Sequence, residues 1–441
     1  MTQPSPTEKP VVAVIGLGYV GLPLALEFAR SGCVVLGLDT DSAKIQQLQK
    51  GRSYLAHIDS AGLEGLLSSR LFQPTGEMAQ LSQADAIVIC VPTPLTDSRE
   101  PDLRFVTETV RTLTKYLRPG QLVVLESTTY PGTTEEVVLP LLEEGGLRGQ
   151  TPDGREPDFY LAFSPERIDP GNTRYRLREI PKIVGGISAC SAEKARLLYE
   201  HVFEKVVVVS SARVAEMAKL LENIYRCVNI ALVNELKLVC TRMNIDIWEV
   251  IEAAATKPFG FSPFYPGPGL GGHCIPVDPF YLAWKVRQYD MTTRFIELAG
   301  EINTAMPNHV VQTVVDALNA RGKTIKGARV LLLGVAYKKD IDDIRESPAL
   351  RIMQLLLERG AEVAYNDPHV PRLPVTRKYD FSHLSSVSLD ATTIGRFDCL
   401  LVVTDHSAYS FSEISRHADL IVDTRNATRG IPCVSSKVVH C

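Results

Sequence analysis

The sequence has no excess of positive charge. Its 441 residues hold 47 Lys and Arg against 51 Asp and Glu, a formal net charge of −4. No global positive field exists to hold nucleic acid or an anionic membrane, so a phosphate-bearing ligand has to be captured locally. Long hydrophobic runs are missing as well. Val11 to Leu26 is uncharged, but it contains Gly16, Gly18, Gly21 and Pro23, has Glu27 directly behind it and is too short to span a bilayer. It is expected to be neither a signal-peptide core nor a membrane span. The nine cysteines, at 33, 90, 190, 227, 240, 274, 399, 433 and 441, are scattered without metal-ligand spacing. The expectation is a reducing, cytoplasmic chain with no metal. With 45% hydrophobic and 22% charged residues, the composition also excludes disorder, collagen and a disulfide scaffold. What remains is an ordinary globular chain of about three domains, at roughly 150 residues each.

Residues 1–10 (MTQPSPTEKP) are polar and proline-rich and are expected to form a loose tail. VVAVIG (11–16) is an apolar β-type run, 20–31 a helical pattern and VVLGLD (34–39) a second strand, which makes one strand–helix–strand unit. Further apolar runs at 86–91, 121–126, 159–163, 182–186 and 205–209 have the look of buried parallel strands. Over 212–255 apolar residues recur at steps of three and four, which predicts a long helix followed by a shorter one at 246–255. Residues 257–280 break that pattern. They are dense in Gly, Pro and aromatics and uncharged between Lys257 and Asp278, which predicts an ordered loop. Helical periodicity resumes at 280–320, and a second α/β pattern begins at Ala328 and continues through 362–367, 398–405 and 420–424. The expected fold is α/β: two Rossmann-like parallel-sheet domains, over 11–210 and 321–441, joined by a long central helix and helical domain over 211–320.

Gly16-Leu17-Gly18-Tyr19-Val20-Gly21 closes the first strand and opens the first helix, and Asp39 ends the second strand. The first glycine allows a tight turn, the second lets backbone approach a pyrophosphate, and the third lets helix pack on strand, while the helix N-terminus supplies positive partial charge. Asp39 would accept hydrogen bonds from a ribose 2′-hydroxyl and repel a 2′-phosphate, which selects NAD over NADP, with Lys44 the nearest cation. The alternative is a glycine-rich turn in a ligand-free α/β domain. CVPTP (90–94, with Pro92 and Thr93) and ESTTYPGTT (126–134, with Ser127 and Thr128) each follow a strand, at the edge where such sheets bind ligands.

Cys274 lies in Gly267-Pro-Gly-Leu-Gly-Gly-His-Cys-Ile-Pro-Val-Asp278, between glycine-rich backbone and a carboxylate. It reads either as a nucleophile cradled by flexible amides or as a buried structural thiol; its neighbour His273 reads as a loop residue. Lys219 and Asn223 are one turn apart on the long helix, where they could stabilise an oxyanion or simply lie on a solvated face. In AYKKDIDDIRESP (336–348), Lys338 and Arg345 could meet phosphates or belong to a solvated loop.

Taken in order, GLGYVGLP (16–23), PTP (92–94), STTYPGTT (127–134), SPER (164–167), EMAKLLENIYR (216–226), GPGLGGHCIPVDP (267–279) and YKKDIDDIRESP (337–348) resemble the UDP-glucose/GDP-mannose dehydrogenase family over residues 10–430. The stretch KPFGFSPFYPGPGLGGHCIPVDPFYLAWK is most similar to its UDP-N-acetylglucosamine 6-dehydrogenase branch, and His273 and Tyr265 depart from the UDP-glucose pattern. The resemblance implies an NAD-dependent four-electron oxidation of a UDP-sugar C6 alcohol to a carboxylate, through a thiohemiacetal and a thioester on Cys274. It implies that Lys219 and Asn223 stabilise oxyanions, that Asp278 orients or activates around the thiol, and that Thr128 with Glu166 holds the hydrolytic water. It further implies cofactor contacts from Gly16, Gly18, Tyr19, Val20, Gly21, Asp39, Pro92, Thr93, Ser127, Thr128 and Arg345. Substrate contacts are implied for Glu166, Arg167, Lys219, Asn223, Tyr265, Gly267, Gly271, Tyr337, Lys338 and Arg425. A homodimer built on the long helix and a place in polysaccharide precursor synthesis are likewise implied, with UDP-glucose and UDP-N-acetylmannosamine as alternative substrates.

Two rival classes share parts of this plan. A two-electron β-hydroxyacid dehydrogenase would need no cysteine and no second α/β domain. A silent nucleotide-binding protein would have lost the pocket residues that are all present here.

Overall fold

The computed structural model describes residues 9–55, 58–96, 98–150, 156–167, 175–272, 275–432 and 437–441. The chain divides into two compact units, Met1–Glu222 with Trp284–Met291, and Asn223–Ala283 with Thr292–Cys441.

The first unit is built on eight strands: β1 (Val11–Ile15), β2 (Val34–Leu38), β3 (Phe72–Thr75), β4 (Ala86–Ile89), β5 (Leu122–Leu125), β6 (Tyr160–Phe163), β7 (Lys182–Gly186) and β8 (Val206–Val208). Their order is β3-β2-β1-β4-β5-β6-β7-β8. Strand order reverses between β1 and β4, which opens a crevice at the carboxyl ends of those strands. Both sheet faces are covered. Val12 and Val14 of β1 pack in one apolar cluster and Ala13 and Ile15 in another, because successive side chains point to opposite faces. That is why these strands read as continuous apolar runs.

One pairing differs from the parallel arrangement the sequence suggests: β7 runs antiparallel to β6, with Ala162 opposite Gly186 and Phe163 opposite Gly185. An apolar run buried on both faces carries no mark of its direction. The described part of the β6–β7 connection holds only a short helical turn, Leu177–Glu179, whereas a parallel return usually runs through a longer crossover helix.

In the second unit β9 (Arg329–Leu333), β10 (Glu362–Asn366), β11 (Cys399–Val402), β12 (Ile421–Asp423) and β13 (Val438–His440) pair in the order β10-β9-β11-β12-β13, all parallel. The long helix is Ala212–Arg242 and its successor Ile247–Ala255, separated at Asn244, whose φ is 55°, and restarted by the Asp246 cap on Trp248 N–H. Helix Arg294–Asn319 follows Asp278–Lys285 after a left-handed Asp290. Among the described residues no helix is long and apolar enough to cross a membrane.

Candidate active site

In the first unit the glycine fingerprint has the geometry its residues require. Gly16 has φ +93°, and a Cβ there would meet the Cys90 carbonyl oxygen at 2.6 Å. A Cβ on Gly21 would come within 1.9 Å of the Gly16 oxygen, while one on Gly18 would meet nothing within 4 Å. Two glycines are thus demanded by the protein itself, and the third leaves open space where a ligand's pyrophosphate can come close to the protein backbone. Tyr19 and Val20 are half-buried at the start of helix Gly21–Arg30.

Asp39 is 8% exposed. Its Oδ2 accepts the Leu17 N–H at 2.9 Å and its Oδ1 the Asp41 N–H at 2.9 Å, with Lys44 Nζ 3.4 Å from Oδ2. The carboxylate is therefore pinned to the fingerprint turn, and Oδ1, with one donor, still has a lone pair for a ribose hydroxyl.

The loops behind β4 and β5 are tied together. Buried Thr93 donates its hydroxyl to the Thr128 carbonyl at 2.7 Å, and Ser127 donates to Val91 O at 2.7 Å; Pro92 is exposed. Behind β6, Glu166 is 6% exposed, and its Oε1 accepts the Arg167 N–H at 2.6 Å. Arg167 pairs with Glu222 at 2.6 Å. Lys219 is 8% exposed, and its ammonium donates to the backbone oxygen of Glu166. The helix does not present Lys219 to solvent.

In the second unit, Asn223 Nδ2 donates to Asp278 Oδ2 at 2.6 Å, and Asp278 is 1% exposed. Cys274 and His273 lie outside the described residues. The glycine loop before them is clamped. Gly267 N–H donates to Asn234 Oδ1 at 2.9 Å, and a Cβ on Gly267 would meet the Arg425 guanidinium at 2.9 Å. A Cβ on Gly271 would come within 2.4 Å of Tyr337 Cβ, and Gly272 N–H donates to Arg345 O at 2.9 Å. Gly267, Gly271, Tyr337, Arg345 and Arg425 thus converge. Arg345 is gripped by Asp343 through Nε and Nη2. Arg425 donates Nε to Val403 O at 2.8 Å, and burial lowers its guanidinium pKa against the pull of Asp405 and Asp423, so an added phosphate would be a gain. Lys338 is half-buried beside Tyr337 in sequence. Tyr265 stacks on Trp248 with centroids 5.4 Å apart.

Three family profiles match in register with these elements: the UDP-glucose/GDP-mannose dehydrogenase family's NAD binding domain over 11–203, its central domain over 213–305 and its UDP binding domain over 331–430. The chain belongs to that family. It is an NAD-dependent nucleotide-sugar dehydrogenase. The UDP-N-acetyl-D-glucosamine 6-dehydrogenase of Pseudomonas aeruginosa is 36% identical over 400 residues, covering 90% of this chain and 91% of that protein. The UDP-N-acetyl-D-mannosamine dehydrogenase of Salmonella typhi is 34% identical over 436 residues, covering 95% and 99%. The solved structure of UDP-D-ManNAc dehydrogenase from Pyrococcus horikoshii superposes with a TM-score of 0.86 at 33% identity, covering 98% of each chain.

Several residues of the dehydrogenase that sequence reasoning passed over serve these sites. Asn234, fully buried, takes the Gly267 N–H and donates to Asn303 Oδ1 at 2.9 Å; Asn303 donates to Cys227 O at 3.2 Å. Their only sequence signal is an amide inside an apolar helical stripe. Glu126 and Lys182 form a buried ion pair at 2.9 Å; a charged residue at each end of an apolar strand run was the available clue. In the second sheet Asp367 occupies the position Asp39 has in the first. All its reach is spent on protein, taking the N–H groups of Val335, Ala336, His369 and Val370. His406, whose Nδ1 accepts the Asp340 N–H at 2.9 Å, holds Asp367 through Nε2 at 3.1 Å. Asp340, His369 and His406 are close enough to suggest a metal site, but both nitrogens of His406 are already engaged.

Proposed function

We propose that the enzyme oxidises the C6 alcohol of a UDP-2-acetamido sugar, UDP-N-acetylglucosamine before others, to the uronate by a four-electron reaction. The observation that carries this reading is the loop from Gly267 to Asp278. Tyr337 and Arg425 of the UDP-binding domain lie against its glycines, and the same loop carries Cys274, so nucleotide recognition and the nucleophile belong to one segment.

NAD, held by the Gly16–Gly21 turn, Asp39 and the loops of Pro92, Thr93, Ser127 and Thr128 together with Arg345, supplies the two-electron acceptor for each oxidation. The chain's own residues do the rest. Lys219 and Asn223 stabilise charge on the C6 oxygen. The Cys274 thiolate adds to the C6 aldehyde carbon to give a thiohemiacetal, which after the second oxidation is a thioester, with Asp278 orienting the groups around the thiol. Thr128 and Glu166 hold a water. Glu166 takes one of its protons, the oxygen bonds to the carbonyl carbon, and the C–S bond breaks with its electron pair returning to Cys274. Arg167, Lys338, Tyr337 and Arg425 bind the nucleotide sugar along with Gly267, Gly271 and Tyr265.

The acetamido preference is supported by the names of the relatives and by the aromatic wall before the loop. Tyr265 is stiffened by its stack on Trp248, and Phe264 sits edge-on to Tyr225 at 5.6 Å. A wall that packs one methyl discriminates by about 1–3 kcal/mol, roughly 10–200-fold. UDP-N-acetylmannosamine is the second reading, since relatives with that name are nearly as similar. Steady-state kinetics on UDP-N-acetylglucosamine, its galacto and manno isomers and UDP-glucose test both; a higher kcat/KM for UDP-glucose than for every acetamido sugar overturns them. Two NADH per sugar are expected, and Cys274→Ala should abolish acid formation while NADH still binds by fluorescence. Acid formed by that variant at the normal rate sinks the thioester.

The reading includes a homodimer in a reducing cytoplasm. Tyr225, Leu232, Leu236 and Val239, with Met243 just past its end, make an exposed apolar stripe along the long helix, the kind of surface that supports a contact between chains.

A further inference from the structure

Lys182, the first residue of β7, and Glu126, directly behind β5, have side chains 3% and 0% exposed. Lys182 Nζ lies 2.9 Å from Glu126 Oε2, 3.3 Å from Glu166 Oε2 and 3.3 Å from the Pro165 oxygen, three acceptors for its three donors. Glu126 Oε1 accepts the hydroxyl of buried Tyr199, the last residue of helix Ala189–Tyr199. The Tyr199 and Phe203 rings stand 5.0 and 5.3 Å from the ammonium. Among the described residues, groups facing the cluster include the Cys90 thiol behind β4, Lys219 on the Glu166 carbonyl, and Arg167, whose N–H holds Glu166 Oε1 while its guanidinium is tied to Glu222.

A single buried lysine needs one carboxylate; this one has two. In a dry site two carboxylates on one ammonium resist both being charged. Burial, and the Glu166 charge beside it, drive Glu126 upward against the pull of Lys182. The second carboxylate is the one the reaction uses.

We propose that Lys182 and Glu126 are positioning residues acting through Glu166: the shared ammonium fixes how the Glu166 carboxylate points and, with Glu126, the charge state in which it takes a proton from the hydrolytic water. This rests on Glu166 being the base of the reading above. The proton leaves water for a Glu166 oxygen as the C–O bond forms and the C–S bond breaks, and no electron changes hands in that step.

The test uses the full-length enzyme and the variants Lys182→Met, Lys182→Arg and Glu126→Gln. Losing the cation should move the acid limb of the kcat profile upward by about one pH unit or more. Losing the competing negative charge should move it downward, Lys182→Arg should restore it, and KM for the sugar and for NAD should hold. Opposite movements from two changes in one cluster are not what a merely structural pair produces. Unmoved limbs, limbs moving together, or an equal loss of kcat at every pH overturn the proposal. Infrared pH-difference spectra need no turnover: Glu126→Gln should delete a buried protonated-carboxyl band and Lys182→Met should strengthen it, and a band indifferent to both also overturns the proposal. If the unmodified enzyme oxidises none of the sugars, the functional reading falls and the positioning role with it, while the infrared result still decides the charge sharing.

Discussion

Single residues carry two separable effects here. Glu216, fully buried on the long helix, takes the Gly132 N–H, the Thr134 N–H at 2.9 Å and the Thr134 hydroxyl at 2.7 Å. Burial nevertheless pushes its pKa up from 4.5 to about 7, outweighing those three bonds. The folded state then binds the proton more tightly than the unfolded chain. Its contribution is whole below about 4.5 and is lost as pH rises through about 7, at most about 3 kcal/mol. Urea midpoints from pH 5 to 8 should therefore fall with pH in the native protein and fall less in Glu216→Gln. The variant should start roughly 1–3 kcal/mol lower, because its amide N–H₂ faces a backbone donor; equal pH slopes would remove Glu216 from the account. The fingerprint glycines offer the second contrast. Gly21→Ala forces a Cβ onto the Gly16 oxygen, whereas Gly18→Ala meets no protein atom. The first should lower thermal stability and the second should weaken NADH binding with little change in melting temperature.

At the scale of elements, the long helix Ala212–Arg242 does different work on different faces. Ala212 and Ala215 pack in the first unit's core, Cys227 and Ala231 pack with Ala299, and Asn234 latches the glycine loop. Pro307 in helix Arg294–Asn319 cannot donate to the Asn303 carbonyl four residues back, and that oxygen faces the position a Cβ on Gly269 would take, at 3.5 Å. Asn234→Ala should leave the Gly267 N–H unsatisfied, at about 1–3 kcal/mol. Calorimetry with UDP should register a weaker affinity while NADH binding is unchanged; loss of both would make the latch a general folding contact. The helix was legible from its steps of three and four. Its buried amides were not, because an Asn in an apolar stripe reads the same whether it faces solvent or a loop brought in from elsewhere. β3 and β13 escaped for a related reason: FQPT and VVH are too short, and in one case too proline-interrupted, to announce strands without the sheet edge that pairs with them.

For the molecule as a whole, the exposed stripe on the long helix makes assembly testable. If the proposed homodimer is built on this stripe, Leu236→Glu combined with Val239→Glu should lower the sedimentation coefficient from that of a dimer to that of a monomer, and an unchanged coefficient would leave the stripe without that role. The sequence by itself determined the cofactor fingerprint, the alternation of strands and helices in both sheets, and the residue types in the loops behind β4, β5 and β6. These follow from local chemistry: turn glycines, apolar runs and the spacing of polar groups along one segment. Only the tertiary structure decided that β7 runs against β6, that Lys219 is buried on the Glu166 carbonyl, that Asp39 is pinned to the Leu17 N–H, and that Asp367 in the corresponding place is filled by backbone N–H groups. Each of these depends on a partner tens of residues away, and burial, which sets the direction in which Glu126 and Glu216 titrate, is a property of the packed interior that no single segment contains.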